Sequence, residues 1–531
     1  MERSVRLRRL STCLFALFLC GLTILIYRPV WHGGFIWDDD RYVTNNPLLT
    51  APDGLRRIWF SLDAPSQYFP LSYTLLRIGR SLWALNPTGY HSLSLAFHAA
   101  NALLVWMVLA RLKVPGAWLA SVIFAIHPVQ VESVAWISEL KNVLMGFLFL
   151  LTLFAWIEFL DRQGERRWTW YAAALLFYLL ALCAKATACT LPTALLLIIW
   201  LKKRPLSLKD VVRIIPFVVL ALGVGLLVIW WEKYHQGTQV LAALAPIDRL
   251  LIASRAVWFY LGKILWPSHL TFIYPRWSID PHDPLDYGWL VTGLLAGVAI
   301  YLARRRVGRS LEVAALFFVT TLAPLLGFVM LYTFRYTFVA DHYQYLASIG
   351  PIAFIAAAFV TFGEWHKRRR QWEIAGSVAI LGVLSVLTWR QTESYRDAET
   401  LWRATVAKNP TCWMAYNNLG ILELTRDHVD QAIVNFERSV SLYHDQPEGH
   451  YNLGSALLAK GQLDKAIAES KTALRLQPND PDAHVVLGNA LLGKDDVDEA
   501  IDEYKKALAL RPNDADARHN LDIALQHKGQ H

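Results

Sequence analysis

The chain has 531 residues, 55% of them hydrophobic, with a formal net charge of +9, only five cysteines and a mean hydropathy of +0.30. This composition points to an integral membrane protein and excludes a disulfide framework: Cys13, Cys20, Cys183, Cys189 and Cys412 form no zinc-ligand pattern, and Cys183 and Cys189, which could in principle bridge, read as a reduced pair packed in a helix. The Lys and Arg residues sit in short clusters between apolar runs, not in a stripe on a polar face, which argues against a nucleic-acid partner.

Residues 1–390 read as a polytopic membrane domain. Apolar runs near 10–30, 90–110, 115–130, 142–160, 168–184, 187–201, 211–231, 286–303, 311–331, 344–363 and 373–390 predict about eleven crossings of a bilayer core of about 30 Å. Met1 to Tyr27 reads as an uncleaved first span, because Arg28-Pro29-Val30-Trp31 follows it in place of a small-x-small cleavage site. Basic clusters at Arg3/Arg6/Arg8/Arg9, Arg111/Lys113, Arg162/Arg166/Arg167, Lys202/Lys203/Arg204, Arg304/Arg305/Arg306/Arg309 and Lys367 to Arg370 fall in alternate connections. The positive-inside rule puts them, with the N-terminus, in the cytoplasm. An odd span count then places residues 391–531 outside, with loops 31–89, 127–141, 233–285 and 332–343. Stretches 70–85 and 247–265 mix apolar residues with Arg and Trp and read as interfacial amphipathic helices.

The unusual polar residues gather on that outer face. Trp37-Asp38-Asp39-Asp40 follows the first span. It is either a solvated acidic loop or a base or cation site, since crowded carboxylates shift one another's proton affinity. His127-Pro128-Val129-Gln130-Val131-Glu132-Ser133 leads to Glu139-Leu140-Lys141-Asn142. If 131–142 is one helix, Glu132 and Glu139 share a face. The alternative is a capped helix end with Lys141 reaching to the interface, and His127 reads as a helix-end hydrogen bonder. Lys185, in an apolar run, needs either a lipid headgroup or a phosphorylated lipid substrate as counter-charge. Arg335 and Asp341-His342-Tyr343-Gln344-Tyr345 form a further polar rim, an interfacial ion pair or a phosphate or sugar clamp. No Walker A, GxSxG, HExxH or dinucleotide motif stands in a credible context.

Residues 391–531 carry a 34-residue period. Gly420, Gly454 and Gly488 keep it, as do Ala398, Ala432, Ala466 and Ala500, and Pro410, Pro478 and Pro512. Small residues at helix crossings with this period are the tetratricopeptide signature. Repeats are expected at about 413–446, 447–480 and 481–514, after the second helix of a partial repeat and before a closing helix. The concave face of such a superhelix binds extended peptides, and Asn417, Asn418, Asn452 and Asn489 are the expected peptide-binding residues or, equally, a solvated face.

On Phe35-Ile36-Trp37-Asp38-Asp39 through Asn45-Asn46-Pro47-Leu48, His127 to Val143, Lys185-Ala186-Thr187 with Leu191-Pro192, Asp341 to Gly350 and the repeats, the chain resembles the transmembrane and tetratricopeptide-repeat-containing protein O-mannosyltransferases, more closely their bacterial relatives. These look like C-type (GT-C) membrane glycosyltransferases. The resemblance implies an all-α membrane bundle with a C-terminal solenoid. It also implies inverting transfer of a sugar, mannose first among the candidates, from a polyprenyl-phosphate carrier to protein Ser/Thr hydroxyls. The first outer loop carries the catalytic acid, which maps to Asp38 with Asp39 beside it. Expected substrate-binding residues are Asp40, His127, Glu132, Glu139, Lys141, Lys185, Arg335, Asp341, His342 and Tyr345, with Lys185, Arg335 and His342 the candidates for the leaving phosphate. Relatives often have Arg where His342 stands. No cofactor is expected, a divalent cation beside Asp38–Asp40 being the open alternative. Expected partners are membrane lipid, the lipid-linked sugar and an acceptor protein on the repeats, and a bacterial inner membrane is the expected setting. The alternative of a different class is a non-catalytic membrane-anchored scaffold for an envelope complex.

Overall fold

The described parts of the apolar runs fold mainly as helix, and no strand occurs among the described residues. The computed structural model describes residues 2–61, 67–235, 244–328, 332–363 and 369–530, so Lys367 and Arg368 of the last basic cluster lie outside it. The chain divides into two units, Met1–Ala398 and Glu399–His531.

In the first unit, six described helices are long and apolar enough to cross a membrane: Pro87–Arg111, Ile137–Asp161, Arg166–Ala184, Leu208–Trp231, Pro284–Val307 and Glu373–Glu393. A seventh crossing arises if Ala117–Ala125 and Pro128–Ala135, bent by 52° at their junction, form one broken span. Four shorter apolar helices, Leu10–Ile26, Ala186–Leu201, Ser310–Leu325 and Ile349–Phe362, account for the remaining runs. The break at Pro128 has a direct cause, since proline removes a helix donor and disfavours the α-region for the residue before it. Leu17, Leu222, Leu226, Leu294, Leu295 and Val378 are exposed on these helices. Apolar surface of that extent belongs against lipid, and the unit is that of a membrane protein. The two expected amphipathic stretches form helices Pro70–Trp83 and Pro246–Leu265, each burying one face: Tyr73, Leu76 and Gly79 on the first, Leu251, Ala256 and Tyr260 on the second.

The second unit stacks helix pairs Trp413–Thr425 with Val429–Leu442, Pro447–Ala459 with Leu463–Leu476, and Pro481–Gly493 with Val497–Leu510, closed by Ala515–Gln530. The fully buried Ala432, Ala466 and Ala500 sit at the crossings. The periodic glycines are there for close approach: a Cβ on Gly420 would lie 2.5 Å from the Phe436 ring, and one on Gly488 2.7 Å from the Tyr504 ring. Lys460–Asp430, Lys494–Asp464 and Lys528–Asp498 pair in the same period, but these exposed bridges add little stability. Gly488→Val is therefore expected to destabilise the repeat unit by about 1–3 kcal/mol through overpacking, read as a lower melting midpoint of its helical signal. An unchanged midpoint would show that Tyr504 yields without cost.

Candidate active site

The site is assembled from four stretches of the first unit, beginning with the loop after the first helix. Trp37 has φ of 44°, a conformation costly for a bulky L-residue. Packing holds it there: the indole stacks on Trp136 with ring centroids 5.4 Å apart, and Phe272 and Tyr336 meet it edge-on. A strained residue held by its surroundings is typical of functional loops.

The three consecutive carboxylates then part company. Asp38 lines a cavity of about 210 Å³, and its Oδ1 is buried with no hydrogen-bond partner among the described residues. Asp39 is fully buried off the cavity wall. It accepts from Ile36 N at 2.9 Å, Ser138 N at 2.8 Å and the Ser138 hydroxyl. Asp40 is exposed and accepts from the Thr44 hydroxyl at 2.8 Å within one wide helical turn, Asp40–Thr44. Burial pushes the Asp38 carboxyl up to about 6, with Lys141 opposing. Burial, with repulsion from Asp38 next, pushes Asp39 up to about 7 against the pull of its Ser138 and Ile36 bonds.

The second stretch is 127–142. His127 is buried as a helix-end hydrogen bonder, its Nδ1 accepting from Val129 N at 3.3 Å and its Nε2 3.0 Å from the Ile264 carbonyl. The continuous helix considered over 131–142 is interrupted at Trp136, which is extended between Val131–Ala135 and Ile137–Glu139. Glu132 and Glu139 nonetheless line the same cavity, brought there by the break. Glu139 is the hub of the charges, with Oε1 2.9 Å from Lys141 Nζ and Oε2 2.9 Å from Lys185 Nζ. The Lys141 ammonium lies 4.7 Å from the Tyr42 ring centroid, a cation–π contact in a dry setting.

Lys185 comes from the third stretch, where the helix Arg166–Ala184 ends and the backbone turns extended before Ala186–Thr190. Its Nζ also donates to Asn142 Oδ1 at 3.3 Å. The fourth stretch brings His342, whose backbone N–H donates to Glu132 Oε2 at 3.0 Å. Its Nδ1 lies 3.1 Å from Glu132 Oε1 and its Nε2 4.0 Å from Glu139 Oε1. Asn142 ties these stretches together, donating to the Ser133 hydroxyl at 2.8 Å and the His342 carbonyl at 2.7 Å. Buried polar groups placed this way are fixed in geometry, because each lost bond would strand a polar atom out of water.

Of the residues singled out in the sequence, Asp38, Glu132, Glu139, Lys141, Lys185 and His342 meet at this cavity, with Phe272, Ile273, Ile229 and Leu325 as apolar wall. Asp39, Asp40, His127, Arg335, Asp341 and Tyr345 do not line it. Arg335 is exposed. Asp341 is buried and accepts from the Tyr274 hydroxyl at 3.0 and 3.2 Å. The Tyr345 hydroxyl meets His98 Nδ1 at 2.8 Å and Asn101 Nδ2 at 2.9 Å inside the helical core. In the repeat unit the expected peptide-binding amides bond the array to itself. Asn452 donates to Asn417 Oδ1 at 3.0 Å, Asn418 to the Met414 carbonyl at 2.8 Å, and Asn489 Oδ1 accepts from Tyr504 and Asn520. Sequence reasoning passed over Ser138 and Asn142, although both stand within one residue of a residue it did single out. Among the described residues, no group of three or more His, Cys, Asp or Glu is arranged to hold a metal ion.

The tetratricopeptide repeat family model matches residues 389–447, 422–481 and 451–515. Protein O-mannosyl-transferase Tmtc1 of Drosophila melanogaster is 23% identical over 540 residues, covering 81% of this chain and 62% of its own length. Protein O-mannosyl-transferase TMTC2 of Mus musculus is 27% identical over 164 residues, 28% of this chain and 20% of that protein. The crystal structure of MamA matches with a TM-score of 0.24 and 23% identity, covering 26% of this chain and 81% of that one. This chain is thus similar to the transmembrane and tetratricopeptide-repeat-containing protein O-mannosyltransferases, as its motifs led us to expect, and spans between about a fifth and three fifths of the length of these two curated relatives.

Proposed function

We propose that the chain is a membrane glycosyltransferase that moves a sugar, mannose by the names of its relatives, from a polyprenyl-phosphate carrier to Ser or Thr hydroxyls of proteins. The observation that carries this reading is the pairing, in one cavity, of an unpartnered carboxylate oxygen on Asp38 with two buried ammonium groups on Lys141 and Lys185. A hydroxyl is a poor nucleophile and needs a base, while a departing phosphate needs positive charge. In the step we propose, the acceptor oxygen bonds to the anomeric carbon as its proton passes to Asp38. The bond from that carbon to the phosphate oxygen breaks, and the polyprenyl phosphate leaves with the electron pair. Attack opposite the leaving group inverts the anomeric centre. Lys141, Lys185 and His342 hold the phosphate, and no metal step is needed.

In this scheme Asp38 is the catalytic base and Asp39 a positioning residue, its bonds to Ser138 and Ile36 fixing the strained Trp37–Asp38 turn. Asp40, Arg335, Asp341 and Tyr345 take no part at the reacting atoms. The charge clusters support an outer-face site with cytoplasmic N-terminus, and the repeats are the surface for the acceptor protein. The test is transfer by the purified protein in lipid from radiolabelled polyprenyl-phosphate mannose to an acceptor protein mixture. Label released from protein by alkaline β-elimination is expected. No protein-bound label from any polyprenyl-phosphate sugar would overturn the enzyme reading.

The carboxyl pair sets a pH profile. With values of about 6 and about 7, the pair holds one proton between those limits and none above. A base must be deprotonated, so kcat/KM is expected to rise with pH through 6 to 7 and level off above. Asp39→Asn removes the upper of the two steps and should leave a single limb near 6, where Asp38 loses its proton. A profile flat from pH 5 to 8, spanning the range where such a base should titrate, would contradict the assignment.

A further inference from the structure

We propose that the repeat unit contains a proton-dependent latch: His450 and His484, one in each of two successive repeats, clip the turn before their own helix to the helix that follows, and do so only as imidazolium cations. This inference stands on the repeat unit alone and does not depend on the transferase reading.

The geometry is the same twice, at the repeat period. His450, in the first turn of Pro447–Ala459, has Nε2 2.9 Å from the His444 carbonyl and Nδ1 2.6 Å from the Glu469 carboxylate on Leu463–Leu476. His484, in the first turn of Pro481–Gly493, has Nε2 3.1 Å from the Pro478 carbonyl and Nδ1 2.5 Å from the Glu503 carboxylate on Val497–Leu510. Carbonyl and carboxylate oxygens only accept, so both nitrogens of each ring must donate. A neutral imidazole carries one N–H, and only the cation carries two. Both rings are buried, so water does not replace a missing donor cheaply.

The other charged groups around the rings are few. Arg475, on the Glu469 helix, opposes the His450 cation, and the His444 ring packs edge-on against His450 at 4.9 Å. Glu503 also takes Lys506 Nζ at 2.7 Å. For His450, burial pulls the imidazole down, but the Glu469 bond and the His444 carbonyl more than offset it, and the group ends above its ordinary value. The sign follows: this stabilisation is complete below the unfolded histidine value of about 6.5 and is lost as pH rises through the higher folded value. The closing helix supplies an internal control. Arg518 occupies the equivalent position and donates to the Pro512 carbonyl at 2.5 Å with a charge that does not titrate.

The experiment is hydrogen exchange on the full chain in lipid nanodiscs, corrected for intrinsic rates, at about pH 6 and about pH 8.5, either side of the histidine range. Wild type is expected to lose protection several-fold over 447–510 at the higher pH. His450→Arg/His484→Arg should keep high protection at both values, and His450→Gln/His484→Gln should show low protection at both. Equal protection of wild type at the two values would overturn the latch, as would the same alkaline loss in the arginine variant.

Discussion

Asp38→Asn is expected to lower sugar transfer by about 10²- to 10⁴-fold, the range lost when a positioned general base is removed, while the melting midpoint of the protein stays where it was. The asymmetry has a structural origin. Asp38 Oδ1 makes no hydrogen bond among the described residues, and the carboxyl is held by the Ser138 hydroxyl and the Lys141 charge, so an amide there costs the fold little. Asp39→Asn is the informative companion. It places an NH₂ group or a weaker acceptor against Ile36 N and Ser138, and should cost stability together with a smaller part of the rate. Parallel measurement of turnover and melting separates the two roles. Equal loss of rate in both variants without loss of stability would mean that the carboxylates act as one catalytic pair.

Glu139→Gln carries the largest expected effect on stability, a loss of about 3–5 kcal/mol, the range for breaking a buried ion pair from one side. The variant leaves two buried ammonium groups, on Lys141 and Lys185, without their shared counter-charge. Adding Lys185→Met to Glu139→Gln should recover part of the loss, because one stranded charge is then gone. Thermal unfolding of the single and double variants in the same detergent decides it. An unchanged midpoint for Glu139→Gln would show that the cavity is wet enough to hold both lysines unpaired. In the proposed reaction, a lipid phosphate entering between the lysines adds negative charge beside that of Glu139.

The repeat unit was legible in the sequence to within a few residues, because positions where an added Cβ would run into Phe436, Ser470 or Tyr504 at 2.5 to 2.8 Å hold glycine every 34 residues. The apolar runs were equally plain. What they concealed was the breaks: Pro128, the extended Trp136 and the extended Lys185 interrupt the helices where the site is built. Six cavity residues could be found beforehand because an ionisable group in so apolar a chain stands out. The same cue picked Asp341 and Tyr345, which Tyr274, His98 and Asn101 satisfy inside the fold. Polarity alone does not say which way a side chain is satisfied. Ser138 and Asn142 escaped because their importance lies in partners 99 and 200 residues away, a relation that exists only in the folded chain. The family resemblance put Asp38 first among the three adjacent aspartates, but the physical difference between them lies in the turn at Trp37, which sends them to three environments.

The most direct test of the central claim is a cryo-EM structure of the full chain in nanodiscs with a non-transferable phosphonate analogue of polyprenyl-phosphate mannose. The phosphorus group is expected to be bonded by Lys141 and Lys185, with the anomeric carbon facing Asp38. An analogue bound with its head group away from these lysines, or with Asp38 turned from the sugar, would contradict it.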